Sequence, residues 1–197
     1  GEFISSDYYV EQLPSWAVKF NLELKTRSYG DSIWHRSLDE IIYKEYSRED
    51  YFYGEEDNYK NDHYSPVFPI GTDLEDDPLA TLMSKPWFER EILLLSKYAV
   101  LDDSLGLDGS PDFLFIGLSA MDWIIHNYGP FSQEVMDACI KLDTYLGNFI
   151  DFLDDHVGLE NVLFTLTADH GGLPLPEYLK EQGQKAGRIN IDNFEEA

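Results

Sequence analysis

The run Phe113-Leu114-Phe115-Ile116-Gly117-Leu118 is followed by Asp122 and, four residues on, by His126. A second apolar run, Val162-Leu163-Phe164-Thr165-Leu166-Thr167-Ala168, ends in Asp169-His170-Gly171-Gly172. Both runs are apolar at odd and even positions alike. That pattern predicts parallel strands covered by helices on each face. Between them Val135, Ala138-Cys139, Leu142, Tyr145-Leu146, Phe149-Ile150 and Leu153 recur at the helical period. Ser132 precedes this stripe as an N-cap and Glu134 falls in its first turn, so a helix over Ser132 to Leu153 is expected. Residues 111–172 therefore read as one right-handed β-α-β unit. The fold class is α/β, as part of a doubly wound, mostly parallel sheet.

In open α/β sheets, ligands bind beyond the carboxyl ends of the strands. Asp122 and His126 follow the first run, and Asp169 and His170 follow the second. Carboxylates and neutral imidazoles suit zinc and similar divalent ions. The glycines behind His170 let the backbone approach a ligand closely. Each pair alone also fits a bland account, since Asp-x-x-x-His recurs by chance and an Asp-His step after a strand can be a simple cap. Two such pairs joined by one crossover helix read as half of a metal site. His35, His63 and His156 read as surface or packing residues. Ser119 lacks the second glycine of a nucleophile elbow, and neither common glycine-rich phosphate loop is present.

Outside this unit, Pro14 and the spacing of Trp16, Ala17, Phe20 and Leu24 predict a short helix ending before Gly30. Residues 31–85 are rich in Tyr, Asp and Glu, with little periodicity, and read as a long irregular surface excursion. Within it, Asp73 to Asp77 lacks the spacing of an EF-hand loop and reads as a solvated acidic loop. Phe88, Ile92, Leu95 and Ala99 predict a helix over 86–105, stopped by Gly106. Asp102-Asp103 at its end reads as solvated.

The chain has 197 residues, 43% of them hydrophobic and 15% aromatic. That suits one domain with a real core. The net charge of −24 opposes binding to nucleic acid or to anionic membrane surfaces. It also suits anionic esters only where metal cations reverse the local field. Cys139 stands alone, so no intramolecular disulfide forms; its place in the helical repeat predicts packing. No transmembrane stretch or signal peptide is visible. The chain opens without Met and is expected to be processed or to be part of something longer.

Ser119-Ala120-Met121-Asp122-Trp123-Ile124-Ile125-His126-Asn127-Tyr128-Gly129-Pro130 resembles a signature of the alkaline phosphatase superfamily. So do Leu142-Asp143, Leu153-Asp154 with Val157-Gly158, and Thr167-Ala168-Asp169-His170-Gly171. The similarity is greatest to zinc-dependent bacterial phosphatases with a threonine nucleophile, whose type I phosphodiesterase/nucleotide pyrophosphatase relatives share the core. The opening through Phe20-Asn21 resembles the same group.

The resemblance implies a single fragment of an alkaline-phosphatase-like domain. Asp122 and His126 would ligate one zinc, and Asp169 and His170 a second. It further implies a phosphomonoesterase acting on a small phosphate ester, in the periplasm or outside the cell. The nucleophile, the remaining ligands and the substrate-contacting Lys and Arg would lie outside these residues, so the fragment alone would be inactive. A phosphodiesterase, nucleotide pyrophosphatase or phosphonate hydrolase is the alternative within the superfamily. Ile125 stands where such relatives usually carry Gly; its bulk is expected to alter local packing, or to mark a non-catalytic binding or structural relative. An incomplete sheet is expected to favour self-association.

Overall fold

The architecture is seen in a computed structural model that describes residues 2–27, 29, 32–55, 66–71 and 82–188. Four packed helices form the frame of the described residues. Helix α1, Ser15–Thr26, buries Ala17, Phe20, Asn21 and Leu24, one stripe at helical spacing. Asn21 also ties down the N-terminal segment, donating to Phe3 O at 2.7 Å and accepting from Phe3 N at 2.9 Å. After the short helix α2, Glu40–Tyr46, comes α3, Trp87–Asp102, with Ile92, Leu93, Ser96, Ala99 and Val100 turned inward. Helix α4 spans Ala120–Tyr128 and α5 spans Gln133–His156. Helix α3 packs on α1 and α5, and α5 packs on α4. A 3-10 turn, Leu159–Asn161, and a last helix α6, Pro176–Glu181, complete the described elements.

The expected helices in the first thirty residues, after Pro86 and after Ser132 are all present. Ser132 caps α5, its Oγ accepting the Val135 amide at 3.1 Å. Cys139 departs from the expected packing: it is exposed, because the inward arc of α5 runs through Val135, Ala138, Phe149 and Leu153. Asp103 is not merely solvated either, since it accepts Trp16 Nε1 at 3.1 Å and joins α1 to the end of α3.

The two apolar runs depart furthest from expectation. Among the described residues neither 113–118 nor 162–168 forms a strand, and the one β-bridge is antiparallel, between Trp34 and Ile70. Both runs lie outside any helix, and only one face is covered. Ile116, Leu118 and Val162 pack on the cluster of Leu93, Val100, Phe149 and Leu153. Phe115 is 90% exposed and Leu163 93%. The physical reason is hydrogen bonding: a parallel strand draws its ladder from neighbouring strands. Among the described residues no backbone gives either run such a ladder.

Residues 34–50 are held on the N-terminal half of α5 by buried polar contacts. Asp137, fully buried, accepts from Trp34 Nε1, from Ser37 N at 2.6 Å and from Tyr43 Oη at 2.5 Å. Burial and that carboxylate push the Tyr43 phenol up to about 12. Arg36 bridges Asp50 at 2.8 Å and donates to Gln133 Oε1 at 2.8 Å. Glu55 is buried against Arg48, with 2.5 Å between Oε1 and Nη1. His63 and Asp73–Asp77 lie outside the described residues. No helix among the described residues is long and apolar enough to cross a membrane.

Candidate metal centre

Helix α4 presents the first pair of candidate residues. Ala120, Ile124 and Tyr128 are four residues apart, so they share one face and bury it against Trp34, Phe68, Ile70, Val135 and Ala138. Asp122 and His126 have the same spacing on another face, and that face is open to solvent. The sequence placed these two residues only beyond a strand; the turn of the helix is what brings them together. Asp122 Oδ1 lies 3.4 Å from His126 Nε2.

The start of α4 is held from another helix. The carboxylate of Glu89, on α3 and 2% exposed, accepts the Met121 amide at 3.1 Å. Burial raises the Glu89 carboxyl above its ordinary range, while the amides of Met121, Ala120 and Ser119 pull it back. Sequence reading passed over this residue. The signal was a glutamate on the inward arc that Ile92, Leu93 and Ser96 share.

The second pair sits on the segment that runs from 169 into α6. His170 Nε2 is 3.7 Å from Asp169 Oδ2 and 3.8 Å from Asp122 Oδ1. Thus both imidazole Nε2 atoms approach the same Asp122 oxygen. The Nδ1 of His170 lies 3.2 Å from Gly171 O. An Nδ1–H donated to that carbonyl leaves the Nε2 lone pair free on the Asp122 side. The Gly171 carbonyl, followed by the charges of Asp169 and Asp122, raises the His170 basicity.

Two close approaches dock this segment on α4. A β-carbon at Gly172 would stand 2.5 Å from Ile125 Cγ2. At the C-cap of α4, Gly129 has φ +77°, and a β-carbon there would meet Leu175 Cγ at 2.8 Å. Leu175 is buried in that contact. Among the described residues no three His, Cys, Asp or Glu side chains enclose a single ion position. The donors present are two imidazoles and two carboxylates on exposed side chains, arranged as two pairs. His35 and His156 stand apart and exposed, the latter with Nδ1 at 2.9 Å from Phe152 O.

A family model described as type I phosphodiesterase / nucleotide pyrophosphatase matches residues 8–191. The chain belongs to this family. Its relatives include alkaline phosphatase PhoV of Synechococcus elongatus, 31% identical over 96% of this chain and 34% of that protein. Alkaline phosphatase PafA of Elizabethkingia meningoseptica is 33% identical over 87% of this chain and 31% of its own length. The crystal structure of wild-type alkaline phosphatase PafA superposes with a TM-score of 0.85 at 29% identity, covering 99% of this chain and 37% of that one. The chain thus spans about a third of the length of these relatives. This similarity bears out the alkaline phosphatase superfamily expected from the motifs at 119–130 and 167–171, and with it an α/β core.

Proposed function

We propose that the complete protein carrying this chain is a metal-dependent phosphate-ester hydrolase acting on small phosphomonoesters. One observation carries the reading: His126 Nε2 and His170 Nε2, from segments more than forty residues apart, converge within 4 Å of Asp122 Oδ1. That donor set fits two divalent ions, zinc first, each taking two ligands from this chain: Asp122 with His126, and Asp169 with His170. Bound there, such ions supply Lewis-acid stabilisation of an in-line phosphoryl displacement. The chain's own contribution is to hold four donors in register on a capped helix and a docked loop. The nucleophile is assigned to no residue of this chain, and these 197 residues alone are proposed to be inactive. The doubly wound, mostly parallel sheet would be completed by strands paired with 113–118 and 162–168.

The names of the relatives favour a phosphomonoesterase. The description of the family model favours phosphodiester or nucleotide pyrophosphate cleavage as the second reading. Nucleic acid and membrane surfaces are disfavoured as partners by the charge of −24. A periplasmic or extracellular site of action is proposed with the superfamily.

The complete protein should be assayed with p-nitrophenyl phosphate and bis-p-nitrophenyl phosphate, beside metal analysis. Two zinc ions per molecule and faster hydrolysis of the monoester are expected. Contacts one shell outside a metal alone carry roughly 10–100-fold, so His126→Ala and His170→Ala should each cost at least about 100-fold in kcat/KM. Preferred diester turnover would establish the second reading. Absence of metal and of turnover on both esters would leave a non-catalytic binding or structural protein.

A further inference from the structure

We infer that Ile125 and Gly172 form a steric key that sets one ligand pair against the other, which makes Ile125 a positioning residue. The inference rests on the two-pair metal site proposed above. Ile125 lies between the two donors of α4, one residue before His126, and Gly172 lies two residues after His170. Ile125 Cγ2 occupies the place a side chain at 172 would need, 2.5 Å from its β-carbon, with Cδ1 at 3.4 Å. The obstacle is a branch methyl on the β-carbon and not the far end of a flexible chain. In a helix a β-branched side chain is nearly confined to one χ1 rotamer. Ile125 is further fixed by packing against the buried cluster of Trp34, Ile124 and Tyr128.

Gly172 is required here for space. Its backbone is not left-handed, in contrast to that of Gly129. The 169–172 segment therefore lies on α4 as closely as the isoleucine allows. Leu175 against Gly129 provides the second point of contact, one helical turn along α4. Two contacts fix a line, so the Asp169–His170 pair has little freedom to slide past Asp122 and His126. Bulk at 125 and its absence at 172 are one complementary device. A larger residue at 172 would lift the loop and move His170 Nε2 away from Asp122.

The test is a size swap in the complete protein, read by zinc calorimetry and thermal unfolding. Gly172→Ala should weaken one of two zinc sites by at least about tenfold, within the range set by groups that orient metal ligands. The double variant Ile125→Ala/Gly172→Ala opens room for the new β-carbon and should bring that site back to within about threefold of wild type. If Gly172→Ala does not fold, a folded double variant with near-wild-type zinc affinity supports the key equally. The inference is overturned if Gly172→Ala binds both ions as the wild type does. It is also overturned if the double variant fails to fold or binds zinc no better than the single one. A wild-type protein without zinc overturns the site itself and this inference with it, an outcome distinct from zinc uptake that ignores position 172.

Discussion

The Glu89 carboxylate on α3 accepts the Met121 amide of α4 at 3.1 Å, so the helix that carries Asp122 and His126 is capped by a residue of a different helix. A capping carboxylate satisfies amides that the first helical turn leaves without partners and complements the positive end of the dipole. Here the contact also sets the height of Asp122, one residue beyond the bonded amide.

Glu89→Ala should therefore destabilise by about 1–3 kcal/mol, the range for a lost cap combined with unsatisfied buried donors. The loss should be local. Amide exchange at 120–124 should speed up more than exchange in α1, and zinc uptake should weaken with it. Uniform acceleration across all helices would contradict a specific hold on α4.

Asp137 joins three donors from residues 34–43 to α5, the buried Trp34 Nε1 and Tyr43 Oη and the part-buried Ser37 amide. Asp137→Ala removes the shared acceptor and should cost about 3–5 kcal/mol, as for other broken buried networks. Asp137→Asn keeps an acceptor and should cost less. Denaturant unfolding measures both; a loss below about 1 kcal/mol for the alanine variant would show that water replaces the carboxylate.

The buried charges near the start of α5 predict a pH dependence. Burial first, and the neighbouring Glu55 charge second, push Glu134 from 4.5 up to about 8. Burial pushes Glu55 to about 7. Between 4.5 and those values the folded chain binds more protons than the unfolded one, so stability drains away as pH rises through the window. Burial pushes Lys85 from 10.5 down to about 7. Above that value the folded chain binds fewer protons, so stability returns as pH climbs toward 10.5. Denaturation midpoints should therefore fall from about pH 5 to about pH 7 and level or recover beyond about pH 8. Glu134→Gln should flatten the falling limb. An unchanged slope in that variant would remove Glu134 as its source.

The 197-residue chain by itself should self-associate through its uncovered runs. Phe115 and Leu163 stand almost fully exposed on backbone without a ladder. Such edges template pairing with other chains. Sedimentation should show association that increases with concentration, and Phe115→Lys with Leu163→Lys should reduce it. A strictly monomeric chain at high concentration would contradict the prediction.

Much of the local structure followed from sequence. The stripe from Val135 to Leu153 and the Ser132 cap mark α5 because helical periodicity and capping are short-range. The pairs Asp122/His126 and Asp169/His170 could be named as candidates for the same reason, each being contained within five residues. Their family followed from the residues around them. Strand formation did not: the apolar content of 113–118 and 162–168 says what these runs would bury, but a ladder depends on neighbours distant in sequence.

Only tertiary structure decided the relations between segments. That His170 approaches Asp122, that Glu89 reaches across to Met121, and that Ile125 fills the space Gly172 leaves are contacts across 32 to 48 positions of chain. No periodicity or spacing encodes them, because each depends on how two separately formed elements pack. The sequence by itself determined which residue types stand ready at each turn, through backbone propensity and apolar period. Packing of α3, α4 and the loop after 168 determined how far apart those residues are, and that distance is what a metal or a substrate would meet.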